Sequence, residues 1–176
     1  MEILWLPMTE HGGTIPPQLL GVLRKLCGRL DSRDLNWAVV GSLGLALRGA
    51  PIEPRDIDLM TDEAGAYELE RVFSEFVVSP ISFRTSERIQ SHFGALNIDG
   101  IKVEIMGNFQ IRIQNGAWQA PPDMAKIKQM VVVEDLEIPI LSLVWEYESY
   151  SKLGRLDRAE AVLALIRDQL PDVNSE

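Results

Sequence analysis

Apolar residues recur along this chain at helical spacing, then in short β-branched runs, then at helical spacing again. Leu19, Leu20, Leu23, Leu26, Cys27 and Leu30 share one helical face. Pro16-Pro17 suits the start of that helix, because proline lacks the N–H that finds no acceptor in a first turn; the pattern runs to about Arg29. Residues 31–36 are a polar turn. Trp37-Ala38-Val39-Val40 reads as a short buried strand. Gly41-Ser42 breaks it and opens a Leu/Ala-rich helix, Leu43 to Arg48, closed by Gly49. Pro51 and Pro54 mark a loop. A second strand follows over residues 55–60.

Thr61 or Asp62 then caps a helix with Glu63 in its first turn and Tyr67, Leu69, Val72, Phe73 and Phe76 on its apolar side. Residues 75–82 read as a turn and a strand, and 85–91 as a short helix or loop. A hairpin comes next: His92 to Ile98 is one arm, Ile101 to Met106 the other, and Asp99-Gly100 is the turn. In the second arm Ile101, Val103 and Ile105 share one face, and Lys102, Glu104 and Met106 the other. Phe109 to Ile113 alternates like a further strand, with Asn115-Gly116 as a turn. Met130 to Val133 and Leu136 to Ile140 read as two strands joined at Glu134-Asp135. Ser142 caps a last helical region in which Leu143, Val144, Tyr147, Tyr150, Ser151 and Leu153 form a packed face. Gly154 divides it, and Leu156, Ala159, Val162, Leu163 and Ile166 make the second stripe. Residues 3–6 pack on the body or form an edge strand, and 171–176 read as a frayed tail. The sum is an α/β (α+β) fold: a mixed twisted sheet with flanking helices and a helical C-terminal part. A single domain over residues 1–176 is expected, with a core at 37–106 and a helical extension at 141–170.

Composition narrows the classes. The 176 residues include 26 acidic and 17 basic side chains, a net charge of −9, which argues against a broad nucleic-acid-binding face. No apolar run reaches the roughly 20 residues of a membrane span, and no basic region precedes an apolar core at the N-terminus. With 1 Cys no intramolecular disulfide forms, which fits a cytoplasmic protein. Cys27 is expected as a buried core thiol. The 2 His and the absence of a CxxC pattern leave no zinc signature.

The chemistry gathers between Val40 and Met60. On a strand Asp56 and Asp58 point the same way, opposite Ile57 and Leu59. Two like charges at about 4 Å repel by roughly 1 kcal/mol in water and about 4 kcal/mol at an effective dielectric near 20. Such a pair calls for solvent, a basic partner, a raised pKa or a hard cation. Gly41-Ser42 at a strand end and helix start offers backbone N–H groups to a phosphate. Gly-Ser, a short helix, then Asp56-Ile57-Asp58 between apolar residues resembles the signature of the DNA polymerase beta-like nucleotidyltransferase superfamily, in its small bacterial and archaeal form.

That resemblance implies a nucleotidyltransferase fold and transfer of a nucleoside monophosphate from an NTP to a hydroxyl of a small molecule, a protein or an RNA end. It implies Mg²⁺ (or Mn²⁺) on Asp56, Asp58 and Glu104, with Asp58 bridging two ions and Glu104 helping to deprotonate the acceptor. Gly41, Ser42 and Lys152 would hold the triphosphate. Arg155-Leu156-Asp157-Arg158 departs from the family pattern, having no Lys before the Asp. Arg48 reads as a helix C-terminal charge and His92 as a core or surface residue. The expected partners are the nucleotide and its acceptor, with a homodimer or toxin–antitoxin partner beside them. The alternative is a catalytically silent nucleotide-binding or partner-binding domain, such as a toxin–antitoxin component. Other phosphate motifs are absent: there is no third glycine of a dinucleotide fingerprint, no GxxxxGK and no GxSxG.

Overall fold

The computed structural model describes residues 15–169, so the readings made for residues 3–6 and 171–176 lie outside it. Helix α1 (Pro17–Leu30) starts at its proline, and its leucine stripe is buried. Strand β1 (Trp37–Val40) leads into the short helix α2 (Gly41–Ala46). Strand β2 (Ile57–Thr61) follows, then α3 (Glu63–Val72), where the Asp62 side chain accepts the Gly65 N–H as the cap. A 3₁₀ turn (Ser74–Phe76) leads to β3 (Val77–Thr85), β4 (Ile89–Ile98) and β5 (Ile101–Ile111). Helix α4 (Met124–Ile127), strands β6 (Lys128–Val133) and β7 (Leu136–Leu141), and helices α5 (Leu143–Lys152) and α6 (Leu156–Asp168) complete the described residues.

The seven strands form one mixed sheet in the order β3-β4-β5-β2-β1-β7-β6. β2 pairs with β5 and β1 with β7 in parallel; the other pairs are antiparallel. One face carries Val39, Ile57, Leu59, Val103 and Ile105 against the leucines of α1 and against Ala66, Leu69 and Phe73. The opposite face carries Ala38, Val40 and Met60, with Met106, Phe109 and Trp145 packed around them. A third cluster ties α2 to α5 and α6 through Leu45, Leu143, Val162 and Leu165.

Several elements differ from the sequence reading, each for a local reason. β2 begins at Ile57, two residues late, because Ile57 is the first residue to find a register partner, Val103. β5 continues through Gly107 to Ile111 as one strand. Gly107 is required by packing: a Cβ there would lie 2.7 Å from Ala66 Cβ and 2.8 Å from the Asp62 carbonyl. The ladder skips a residue between the pairs Gln90–Gln110 and His92–Gly107, and Asn108 has φ +50°. This bulge reverses the alternation. Val103 and Ile105 therefore face α1 and α3, whereas Phe109 and Ile111 face α5. The segment 85–91 closes a β3–β4 hairpin, with the Ser86 N–H and hydroxyl both bonded to the Ile89 carbonyl.

The last helices bury most of their expected faces, with two apolar exceptions. Val144 and Leu156 are exposed, and the buried residues of α5 are Leu143, Glu146 and Ser149. Cys27 is half-buried, its thiol against the Glu137 carbonyl at 3.7 Å. Arg48 donates to the Leu141 carbonyl and to Gln129 Oε1, tying α2 to the β6–β7 hairpin. No helix among the described residues is long and apolar enough to cross a membrane.

Candidate active site

The parallel pairing of β2 with β5 sets Asp58 directly beside Glu104. Neighbouring strands lie about 4.8 Å apart, so two acids in register share one patch of the sheet. Ile57 and Leu59 fill the core beneath, which turns Asp58 to the α5 side. Across β1, Val40 is the register partner of Asp58, so the Gly41 corner begins one residue beyond that pair. Gly41 has φ +70°, a conformation only glycine adopts cheaply. A Cβ on it would lie 2.8 Å from Asp58 Oδ2. The carboxylate thus rests against the bare backbone of the corner. Ser42 follows on α2; the N-cap position is Val40, so Ser42 is not the cap.

Asp56 sits just ahead of β2 and joins the group through Lys102. The Lys102 ammonium lies 2.8 Å from Glu104 Oε1 and 3.5 Å from Asp56 Oδ2. The Glu104 contact, with Asp56 behind it, raises the Lys102 pKa above its ordinary value. Burial pushes the Asp58 carboxyl up to about 7, aided by the charges of Asp56 and Glu104 and a hydrogen bond with Glu104, and opposed by Lys102. Among the described residues no group of three His, Cys, Asp or Glu side chains stands ready as a chelate. The donor set is nevertheless all oxygen and crowded with like charge, which suits a hard divalent cation. Lys102 already supplies one positive charge between two of the three acids.

A family model for aminoglycoside-2''-adenylyltransferase matches residues 22–162, most of the chain. The chain belongs to that family. A candidate nucleotidyltransferase from Thermotoga maritima, known from its crystal structure, is 48% identical; the match covers 92% of this chain and 100% of that one, with a TM-score of 0.80. ANT(2'')-Ia in complex with adenylyl-2''-tobramycin shares the fold at 13% identity and TM-score 0.54, over 85% of this chain and 90% of its own. Lincosamide antibiotic adenylyltransferase LnuA, lincomycin-bound, does so at 11% and 0.53, over 87% and 99%. No curated protein sequence matches the chain. The family and the Thermotoga relative make this protein a nucleotidyltransferase, an enzyme that transfers nucleotidyl groups.

In this adenylyltransferase-family chain a cavity of about 250 Å³ opens beside Asp58 and Gly41, under α5. Met60, Phe93, Phe109 and Trp145 give it apolar walls, while Glu146, Tyr150 and Arg155 bring polar groups. Burial lifts Glu146 to about 8 against the attraction of Arg48, the Gly41 N–H dipole and Arg158. Burial likewise raises the Tyr150 hydroxyl above its ordinary value. Lys152 is set apart from this cavity: its ammonium lies 3.5 Å from Gln119 Oε1 and 3.7 Å from Glu148 Oε2. Arg155 is the cation that lines the cavity. His92 sits on β4, bonded through Nδ1 to the Tyr67 hydroxyl at 3.2 Å.

Of the six site residues expected from sequence, Asp58, Glu104, Gly41 and Ser42 are brought to one corner. Asp56 is linked to them by Lys102, and Lys152 faces elsewhere. Sequence reasoning missed Glu146. Its one signal was an acid three residues after Leu143, the spacing of a buried helical face, which an apolar template discards.

Proposed function

We propose that this protein is a Mg²⁺-dependent nucleotidyltransferase whose acid centre is Asp58 and Glu104, completed by Asp56. The observation that carries the reading is the parallel register of Asp58 with Glu104 beside the Gly41 corner. Mg²⁺ held on these carboxylates would supply positive charge to offset the charge developing on a phosphate in transfer. The chain's own residues do the rest. Gly41 and Ser42 present the bare corner to the triphosphate, and the absence of a Cβ at Gly41 permits close approach. Glu104, its side chain 28% exposed and so in reach of solvent, accepts the proton of the attacking hydroxyl. Lys102, which neutralises Asp56 and Glu104 here, stands where a cation held by these carboxylates would compete with it. The cavity under α5 shields the reacting atoms from water.

The fold neighbours that act on antibiotics direct the search for an acceptor toward the hydroxyl of a small molecule. The test is incubation with Mg²⁺ and ATP labelled at the α-phosphate, with tobramycin or lincomycin as acceptor, alongside Asp58→Asn protein. Label transferred by the parent and lost in the variant supports the reading. Equal transfer by both removes Asp58 from the chemistry.

A further inference from the structure

The β3–β4 turn, the end of β5 and the last turn of α5 enclose a groove of about 630 Å³ outside the cavity of Asp58. Three of its lining side chains are cations, Arg88, Arg112 and Lys152, against one acid, Glu87. That is a local excess of positive charge on a chain of net charge −9. One scaffold fixes both arginines. The Arg112 N–H donates to the Arg88 carbonyl at 2.9 Å. Arg112 also pairs with Trp118 in an antiparallel bridge, its guanidinium 5.5 Å from the centroid of the indole ring.

Arg24 and Arg29 of α1 and Arg71 of α3 each meet an acid. The two groove arginines do not pair with a carboxylate among the described residues. Main-chain carbonyls hold them instead, that of Lys152 at 2.9 Å from Arg88 and that of Gly116 at 3.0 Å from Arg112. A carbonyl orients a guanidinium without cancelling its charge. Lys152 is shared with Glu148, at 3.7 Å. Gly154, at φ +70°, leaves bare backbone beside Arg88, since a Cβ on it would stand 3.6 Å from Nη1. Oriented guanidiniums with charge to spare suit the oxygens of a phosphate. The acidic balance of the chain repels a long polyanion, so the groove suits a small one. We propose that this groove binds the phosphate or diphosphate group of a small molecule, at a site separate from the Gly41 corner. Arg88 and Arg112 grip the oxygens, and Lys152 adds charge. Arg88 and Gly154 line the groove, while the residues after each of them, Ile89 and Arg155, line the cavity of Asp58. A ligand anchored by its phosphate therefore stands at the edge of that cavity.

The experiment titrates inorganic pyrophosphate into the full chain by calorimetry, with EDTA present so that no metal draws the anion to the acids of the corner. Arg88→Gln, Arg112→Gln and Lys152→Gln should each weaken binding about five- to ten-fold. Arg24→Gln removes the same unit of charge far from the groove and should stay within about two-fold of the parent. Lys152→Gln and Arg112→Gln disturb no contact between α5 and the β3–β4 turn, so the outcome does not hang on the fold of Arg88→Gln, which melting temperatures check. No binding by the parent, or equal binding by the parent and these two variants, overturns the proposal. A loss in Arg24→Gln as large as theirs also overturns it, because net charge and not the groove would be the cause. A 12-nucleotide single-stranded RNA that binds the parent over a hundred-fold more tightly than pyrophosphate, and loses that in the groove variants, would make the groove a nucleic-acid site instead. The Kd of a non-hydrolysable ATP analogue with Mg²⁺ should be the same in parent and groove variants; weakening there would make the groove part of the nucleotide site and end its separate standing. If the analogue fails to bind even the parent, the corner reading falls, and the pyrophosphate titration still decides the groove.

Discussion

Replacing Gly41 with alanine strikes the corner in two ways that can be measured separately. The backbone there has φ +70°, and a residue with a Cβ pays roughly 1–2 kcal/mol in the left-handed region. The new methyl would also stand 2.8 Å from Asp58 Oδ2, so the carboxylate or the corner must retreat by several tenths of an ångström. Overpacking of this kind costs about 1–3 kcal/mol. The two together come to about 2–5 kcal/mol. At roughly 2–4 °C per kcal/mol for a chain of this size, the melting temperature should fall by about 4–20 °C. Gly100→Ala is the control, because Gly100 has φ +83° and nothing within 4 Å of its added Cβ. It carries the conformational cost without the collision. Chemical denaturation of both variants isolates the contact with Asp58. Equal destabilisation in the two would show that the Asp58 carboxylate does not lie against the corner.

Three further outcomes follow from the same close packing. Gly107→Ala, at ordinary φ but 2.7 Å from Ala66 Cβ, should cost about 1–3 kcal/mol in urea unfolding by prising α3 from β5; parental stability would mean that helix and strand are less closely packed. Gly21→Ala, inside α1 with open space around its Cβ, should stabilise the protein by about 0.5–1 kcal/mol, and a loss would show that the helix face is not free. Glu146 holds its proton more tightly in the folded protein, at about 8 against an ordinary 4.5, so folding stability should fall as pH rises between those values. Glu146→Met should flatten that decline in melting temperatures measured from pH 5 to 8, and a decline as steep as the parent's would place the titration elsewhere.

Much of this architecture is written in local patterns. Asp99-Gly100 turns the β4–β5 hairpin with both residues at positive φ, as the pair demands. Leu19, Leu23, Leu26 and Leu30 of α1 and the run from Trp37 to Val40 are buried as their periodicity requires. Glu104 was legible as an acid on an alternating strand, but its alignment with Asp58 was not. That alignment comes from a parallel pairing between strands separated by α3, β3 and β4, which no short window contains. The bulge at Asn108 was hidden for a related reason. An alternating template carries its parity forward, and nothing in a polar residue declares that parity reverses. In α5 the apolar template held in part: Leu143 is buried, and Tyr147, Tyr150 and Leu153 pack against the clusters. The helix also buries Glu146 and Ser149 beside a cavity and exposes Val144, which an apolar template does not indicate. The Lys152 ammonium lies toward Gln119 and Glu148, contacts that no helical template displays.

The claim on which the rest depends is that Asp58 and Glu104 hold a divalent ion together beside the Gly41 corner. Electron paramagnetic resonance of Mn²⁺, titrated into the protein with a non-hydrolysable ATP analogue, reads that claim without needing an acceptor. The parent should bind Mn²⁺, and Asp58→Asn and Glu104→Gln should each weaken it by at least about ten-fold with the fold unchanged. Mn²⁺ affinity equal to the parent's in both variants would contradict the account.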